Sequence, residues 1–119
     1  MVRQHDLIEF IRRKLGYDTL TDEEVLRYIS DHIRYKTISI VSDNGKIVGL
    51  LRINIFGTVA DVADVAVEDG YNAQDIIRQM SIELWNNFPY VKYFELKRLR
   101  KYPLKKPRIY TIKRLLKVK

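Results

Sequence analysis

The chain has no cysteine, so no disulfide framework holds it together and no thiolate does chemistry in it. Histidine is almost as scarce. His5 and His32 are the only two, and with no cysteine beside them no transition-metal site is legible. Prolines number three and glycines five, with no internal repeat and no low-complexity tract, which excludes collagen-like and linker-like architectures. No apolar run approaches the roughly 18 residues that a membrane span requires. The N-terminal MVRQHDLIEF carries acids and lacks a continuous apolar stretch, so it does not read as a secretory signal. These absences predict a cytosolic protein that works away from membranes.

Acidic residues are missing from one region only. Residues 97–119 hold 11 of the 22 Lys and Arg and none of the 15 Asp and Glu, so that segment carries +11 against −4 for residues 1–96. A mildly acidic body with a strongly basic end points to an anionic partner, a nucleic acid or an acidic protein surface. Arg98, Arg100, Lys101, Lys105, Lys106 and Arg108, interleaved with Tyr102 and Tyr110, offer phosphate contacts and stacking surfaces. The plainer reading is an edge strand kept from aggregating by its lysines.

What remains is ordinary for a globular chain: 119 residues, 46% hydrophobic and 31% charged, enough for one domain spanning 1–119. Leu7, Ile8, Ile11 and Leu15 recur at helical spacing, with Phe10 widening the stripe and Gly16 as a stop, and predict a helix over 4–15. Thr21 followed by Glu24 is a capping box, and opens a second helix with Val25, Leu26, Ile29 and Ile33 as its buried stripe. His32 lies close to that stripe and reads as a packed or surface residue.

From residue 36 the period becomes two. Residues 36–42 read as a strand, Asp43-Asn44-Gly45 as a hairpin turn, 47–56 as a central strand in which Arg52 and Asn54 interrupt the apolar run, and 59–67 as a third antiparallel strand. A polar loop follows, then a helix over 73–88 with Ile76, Ile77, Met80, Ile82, Leu84 and Trp85 as its apolar side, and a strand over 91–98 that reads as buried on both faces near its start. That connection is long enough for a crossover, so 59–67 and 91–98 are predicted to run parallel. Residues 99–107, with Pro103 and Pro107, break the pattern, and 108–116 recover enough alternation for a last, antiparallel edge strand. The fold class is a mixed α/β sheet.

KTISIVSDNGKIVGLLRINI, VADVADVAV and FELKR, in this order around the crossover helix, resemble the GCN5-related N-acetyltransferase family over about residues 37–98. The resemblance implies the acyl-CoA N-acyltransferase fold, with two N-terminal helices, an antiparallel meander, a crossover helix, a parallel strand pair and a C-terminal edge strand. It also implies a site for acetyl-CoA between the parallel strands. The pyrophosphate would lie on the loop Gly70, Tyr71, Asn72, Ala73 and Gln74.

The family's loop reads Gln/Arg-x-x-Gly-x-Gly/Ala. Here Asn72 takes its first position, while Asp75 and Ile77 stand where the glycines belong. A carboxylate at Asp75 opposes a diphosphate, and instead caps the helix in this reading. The family's base and acid find candidates in Asp61 or Asp64 and in Tyr102. The two aspartates, three apart on one strand, are predicted to face opposite sides. The helix that should carry the acid is replaced by RLRKYPLKKPRIY, and the family's first strand is not evident before Gln4.

Three functions follow. The first is a degenerate, non-catalytic acetyltransferase-like protein without a cofactor, binding through its basic C-terminal segment. The alternatives are an unorthodox acyl-CoA-dependent N-acetyltransferase and a nucleic-acid-binding protein.

Overall fold

The computed structural model describes residues 4–16, 19–99 and 102–111, and the side chains of these apart from Tyr28 and residues 97–110. In chain order the elements are α1 (Gln4–Leu15), α2 (Asp22–Arg34), β1 (Ile38–Asp43), β2 (Lys46–Phe56), β3 (Val59–Val67), α3 (Ala73–Asn87), β4 (Tyr93–Leu99) and β5 (Tyr102–Thr111). The five strands form one sheet in the order β1-β2-β3-β4-β5. All neighbours are antiparallel except β3 and β4, which run parallel as the crossover length requires.

Local chemistry accounts for the element ends. Gly16 leaves α1 with φ 73°, and its amide donates to the Arg12 carbonyl. The Thr21 hydroxyl accepts from the Glu24 amide at 3.2 Å while the Glu24 carboxylate accepts from the Thr21 amide at 3.0 Å, the capping box that the sequence predicts. Asn44 and Gly45 both take positive φ, 52° and 79°, as a two-residue hairpin turn demands.

The sheet buries both faces. α1 and α2 cover one face, where Leu7, Phe10, Ile11, Val25 and Ile29 meet Ile38, Leu50 and Ala66. α3 covers the other, where Met80 and Leu84 meet Leu51, Ile53, Ala60 and Phe94. β2 lies between its neighbours in mid-sheet and is buried from Ile47 to Ile53. Fully burying one such aliphatic side chain is worth about 1.5–3 kcal/mol, so these two clusters hold the helices to the sheet.

Four expectations are corrected. Ile33 is 53% exposed and does not belong to the buried stripe of α2. Val25 and Ile29 extend by i, i+4, i+7 spacing to His32, so the histidine faces the sheet and Ile33 is turned aside. Trp85 is likewise at the exposed edge of α3 rather than in its core. β4 is not buried on both faces at its start, since Phe94 is buried but Tyr93 is exposed. Finally, β5 begins at Tyr102, so residues expected to break the pattern belong to it. Pro103 and Pro107 are tolerated because β5 is an edge strand, with a row of amides that need no ladder partner.

Gly49 of β2 lies directly beneath α3, and a Cβ there would collide with Ile76 Cγ2 and reach Met80 Sδ at 3.3 Å. Gly49→Ala is therefore expected to destabilise the fold by about 1–3 kcal/mol through overpacking, read from the urea midpoint. Gly57→Ala has open space but a positive φ of 61°, so any loss there comes from the backbone alone.

Candidate functional site

The parallel pair is short. Val59, Ala60, Asp61 and Val62 of β3 pair with Tyr93, Phe94, Glu95 and Leu96 of β4, and beyond these residues each strand keeps only its antiparallel neighbour. The parting coincides with a register shift. Arg52 of β2 lies opposite Asp64 while the next residue, Ile53, lies opposite Val62, which leaves Ala63 as the extra residue of a β-bulge. A bulge bends its strand, and the pairing of β3 with β4 ends beside it, at Val62.

The bulge also resets which side chains share a face. Asp64 is opposite Arg52 and Asp61 is opposite Asn54. Arg52 and Asn54, two apart on a regular strand, point the same way, so Asp61 and Asp64 lie on one face. The expectation that they face opposite sides fails because a three-residue spacing that spans a bulge counts as two.

On that face stands a buried polar group. Arg52 is 5% exposed and lies against the partly buried Asp64. Its Nε donates to Asp64 Oδ2 at 2.7 Å, and its Nη2 donates to the same oxygen. Its Nη1 donates to His32 Nε2 at 3.0 Å, and His32 Nδ1 lies 2.7 Å from Thr37 Oγ1. Arginine can only donate, so Nε2 accepts and the imidazole is neutral with its proton on Nδ1, directed at Thr37. Burial pushes the His32 imidazole below its ordinary value and the Arg52 charge adds to this, while Asp64 and Asp31 pull the other way. Asp64, a candidate base in the sequence, thus has its carboxylate engaged by a guanidinium. Sequence reading missed the cluster, though a charged residue inside the apolar run of β2 is a visible signal.

The loop between β3 and α3 is anchored from α1. Glu68 is buried and takes a two-pronged contact from Arg13, with Nη1 to Oε1 at 2.9 Å and Nη2 to Oε2 at 2.5 Å, and Lys14 Nζ lies 3.4 Å from Oε1. The Arg13 hydrogen bonds chiefly hold its carboxyl down to about 2. The Tyr71 hydroxyl donates to Asp43 Oδ2 at 2.8 Å, which raises that phenol.

At the start of α3, Asn72 is the N-cap. Its Oδ1 accepts from the Asp75 amide at 3.0 Å. Asp75 itself sits exposed in the first turn and is not the cap, because the capping geometry needs an extended residue three positions before the amide, and Asn72 holds that place. Gly70, Ala73 and Gln74 are exposed beside it.

The basic segment is reached only in part. Arg98 lies on β4, and Tyr102, Lys105, Lys106 and Arg108 lie on β5, with side chains outside those described. Arg100 and Lys101 lie outside the described residues altogether. No group of three or more metal-ligating side chains occurs among the described residues, and no helix there is long and apolar enough to cross a membrane.

Two stability measurements check these contacts. Arg52→Met leaves the Asp64 carboxylate partly buried without its guanidinium and is expected to cost about 3 kcal/mol, whereas Arg52→Met with Asp64→Leu recovers most of the loss. Equal losses in single and double variants in urea would contradict the pairing. For Glu68 the folded value lies below the ordinary 4.5, so its contribution is complete above pH 4.5 and disappears as pH falls toward about 2. Stability measured between these limits should drop more steeply for the unaltered chain than for Glu68→Gln.

No protein-family model and no curated protein sequence matches the chain. Solved structures do. Diaminobutyrate acetyltransferase of Paenibacillus lautus, in complex with its substrate L-2,4-diaminobutyric acid and coenzyme A, is similar with a TM-score of 0.57 and 24% identity, over 78% of this chain and 58% of that one. Ribosomal-protein-alanine N-acetyltransferase of Brucella melitensis gives 0.53 and 13%, over 78% and 64%. GCN5 of Tetrahymena gives 0.52 and 14%, over 80% and 60%. The chain spans less than two thirds of each. With its splayed parallel strands and the helix between them, it has the acyl-CoA N-acyltransferase fold of the GCN5-related acetyltransferases.

Proposed function

We propose that this chain is an acetyltransferase-fold protein that does not transfer acetyl groups and acts instead by binding, with the basic segment 97–119 as its contact surface. The observation that carries this reading is the first turn of α3. There the Asp75 amide is taken by the Asn72 side chain, and Asp75 adds a carboxylate to the first turn. A helix N-terminus attracts anions through open amides and its positive end, and a carboxylate in the first turn offsets both. Ile77 adds a branched side chain where the family has a small residue. The residues present do not fit an acyl-CoA pyrophosphate.

The proton-transfer groups support the same reading. Asp64 is engaged by Arg52, so it is a poor acceptor for an amine proton. Only two residues separate β4 from β5, which leaves no room for the helix on which the family carries its acid. Tyr102 sits at the start of β5 instead.

The runner-up is an acyl-CoA-dependent N-acyltransferase that holds its cofactor by other contacts. The parting of β3 and β4 beyond Val62 and Leu96 favours it, because that gap is where the fold admits a pantetheine arm.

One set of titrations separates the readings. Millimolar acetyl-CoA should leave the thermal midpoint unchanged, whereas a ligand at 100 times its dissociation constant would stabilise the fold by about 2.7 kcal/mol. Asp75→Gly with Ile77→Gly should gain coenzyme A affinity. Single- and double-stranded DNA and RNA should bind the full chain with a log–log salt slope of roughly −0.9 per phosphate contacted on duplex DNA. Replacing Arg100, Lys101, Lys105 and Lys106 by Gln should flatten that slope. A shift of several degrees with acetyl-CoA would replace the first reading by the second. Absence of nucleic-acid binding would leave an acidic protein as the partner of the segment.

A further inference from the structure

A second concave site lies at the opposite end of the sheet. The 15 residues of α3 put about 22 Å between its N-terminus and its C-terminal end. At that far end a cleft of about 520 Å3 opens between the end of α2, the end of β2 and the turn after α3. Its walls are aromatic: Tyr35, Phe88 and Tyr90 line it, over a floor that includes Ile53 and Ile55. The rings of Phe88 and Tyr90 stand at 84° with centroids 6.2 Å apart, two walls of a corner.

The walls are held in place. Tyr35 follows α2 in a glycine-type turn, with the Thr37 amide donating to the His32 carbonyl at 2.9 Å and the Lys36 amide to Ile33 at 3.2 Å. Lys36 occupies the left-handed position of this turn with φ 60°, where glycine is usual. The Asn87 side-chain amide reaches the Lys36 carbonyl at 3.5 Å, which joins the end of α3 to the same turn. The Phe88 amide donates back to Leu84 and Trp85, and the Val91 amide donates to Phe88. Tyr35 and Tyr90 nonetheless remain 64% and 54% exposed, a large apolar area to leave in water.

Charge selects the occupant. Among the described residues lining this cleft, Asp31 at the rim is the one that carries a full charge at neutral pH, since His32 is neutral by its hydrogen bonds. Aromatic faces present negative charge, and a carboxylate beside them adds to it. An anion is repelled by both, and a neutral ligand gains nothing from Asp31. We propose that this cleft binds a small organic ammonium ion, of the alkylated or quaternary type, with the faces of Tyr35, Phe88 and Tyr90 around the cationic head and Asp31 as its counter-charge. The site is independent of the gap between β3 and β4 and of the first turn of α3.

The test uses the full chain and two probes of nearly equal shape, choline and its uncharged analogue 3,3-dimethylbutan-1-ol, followed by amide and side-chain NMR shifts. Choline is expected to saturate with shifts centred on Tyr35, Phe88 and Tyr90, and the neutral analogue to bind at least tenfold more weakly. Each of Tyr35→Ala and Tyr90→Ala should weaken choline by about two- to fivefold, as exposed cation–π contacts do. Tyr90→Phe keeps the ring, and therefore the affinity, and its folded spectrum guards against a variant that merely unfolds. Asp31→Asn should weaken choline and leave the neutral analogue unaffected. Equal affinity for the two probes, saturation without shifts at these rings, or no saturable choline binding would each overturn the proposal.

Discussion

A guanidinium buried on an interior strand of a sheet must be matched by charge and by hydrogen-bond acceptors, and Arg52 imposes that condition on everything around it. Its match is Asp64, one strand away. The match exists only because Ala63 is bulged out of register, which lets Asp64 and Asp61 share the α1–α2 face while Val62 and Val65 serve the α3 face. Without the bulge one half of β3 would turn its valines to the wrong side. The pairing of β3 with β4 ends beside the same bulge, where β4 also shifts register against β5 between Leu96 and Arg98. His32 completes the arrangement by accepting from Arg52, which ties the last turn of α2 to the sheet.

Several polar groups near the parallel pair and the start of α3 have partners within the chain. Asp64 is occupied by an internal charge, the cap of α3 is an internal side chain, and the chain passes from β4 almost directly into β5. The loop before α3 is held by Arg13 and Lys14 on Glu68, which ties it to α1 across 55 residues of chain. Anchoring of this kind stiffens the loop whether or not a ligand uses it. Meanwhile exposed rings gather at the far end of α3, beside a turn held by backbone hydrogen bonds from Lys36 and Thr37.

Much of the architecture was legible in local chemistry. The capping box at Thr21, the Asn44-Gly45 turn, the helix stop at Gly16 and the length of the crossover each act through neighbours in sequence, and each is found as read. The candidate site was less legible. A bulge leaves no mark in a run such as VADVADVAV, where valines and aspartates recur and the parity change at Ala63 is invisible. His32 looked peripheral because the stripe of α2 was drawn through Ile33, and only a sheet carrying Arg52 makes a histidine the better residue to face inward. The prolines of β5 read as breakers because the edge position that excuses them is a property of the sheet.

The sequence by itself determined the order of the elements, the parallel pair and the charge divide between body and C-terminal segment, because periodicity, caps, turns and connection lengths are local quantities. Only the tertiary structure decided which face each aspartate of β3 occupies, that Arg52 pairs with Asp64, and where the aromatic residues meet. Those outcomes depend on register between strands and on which helix covers which face, and both are settled by packing among residues far apart in the chain.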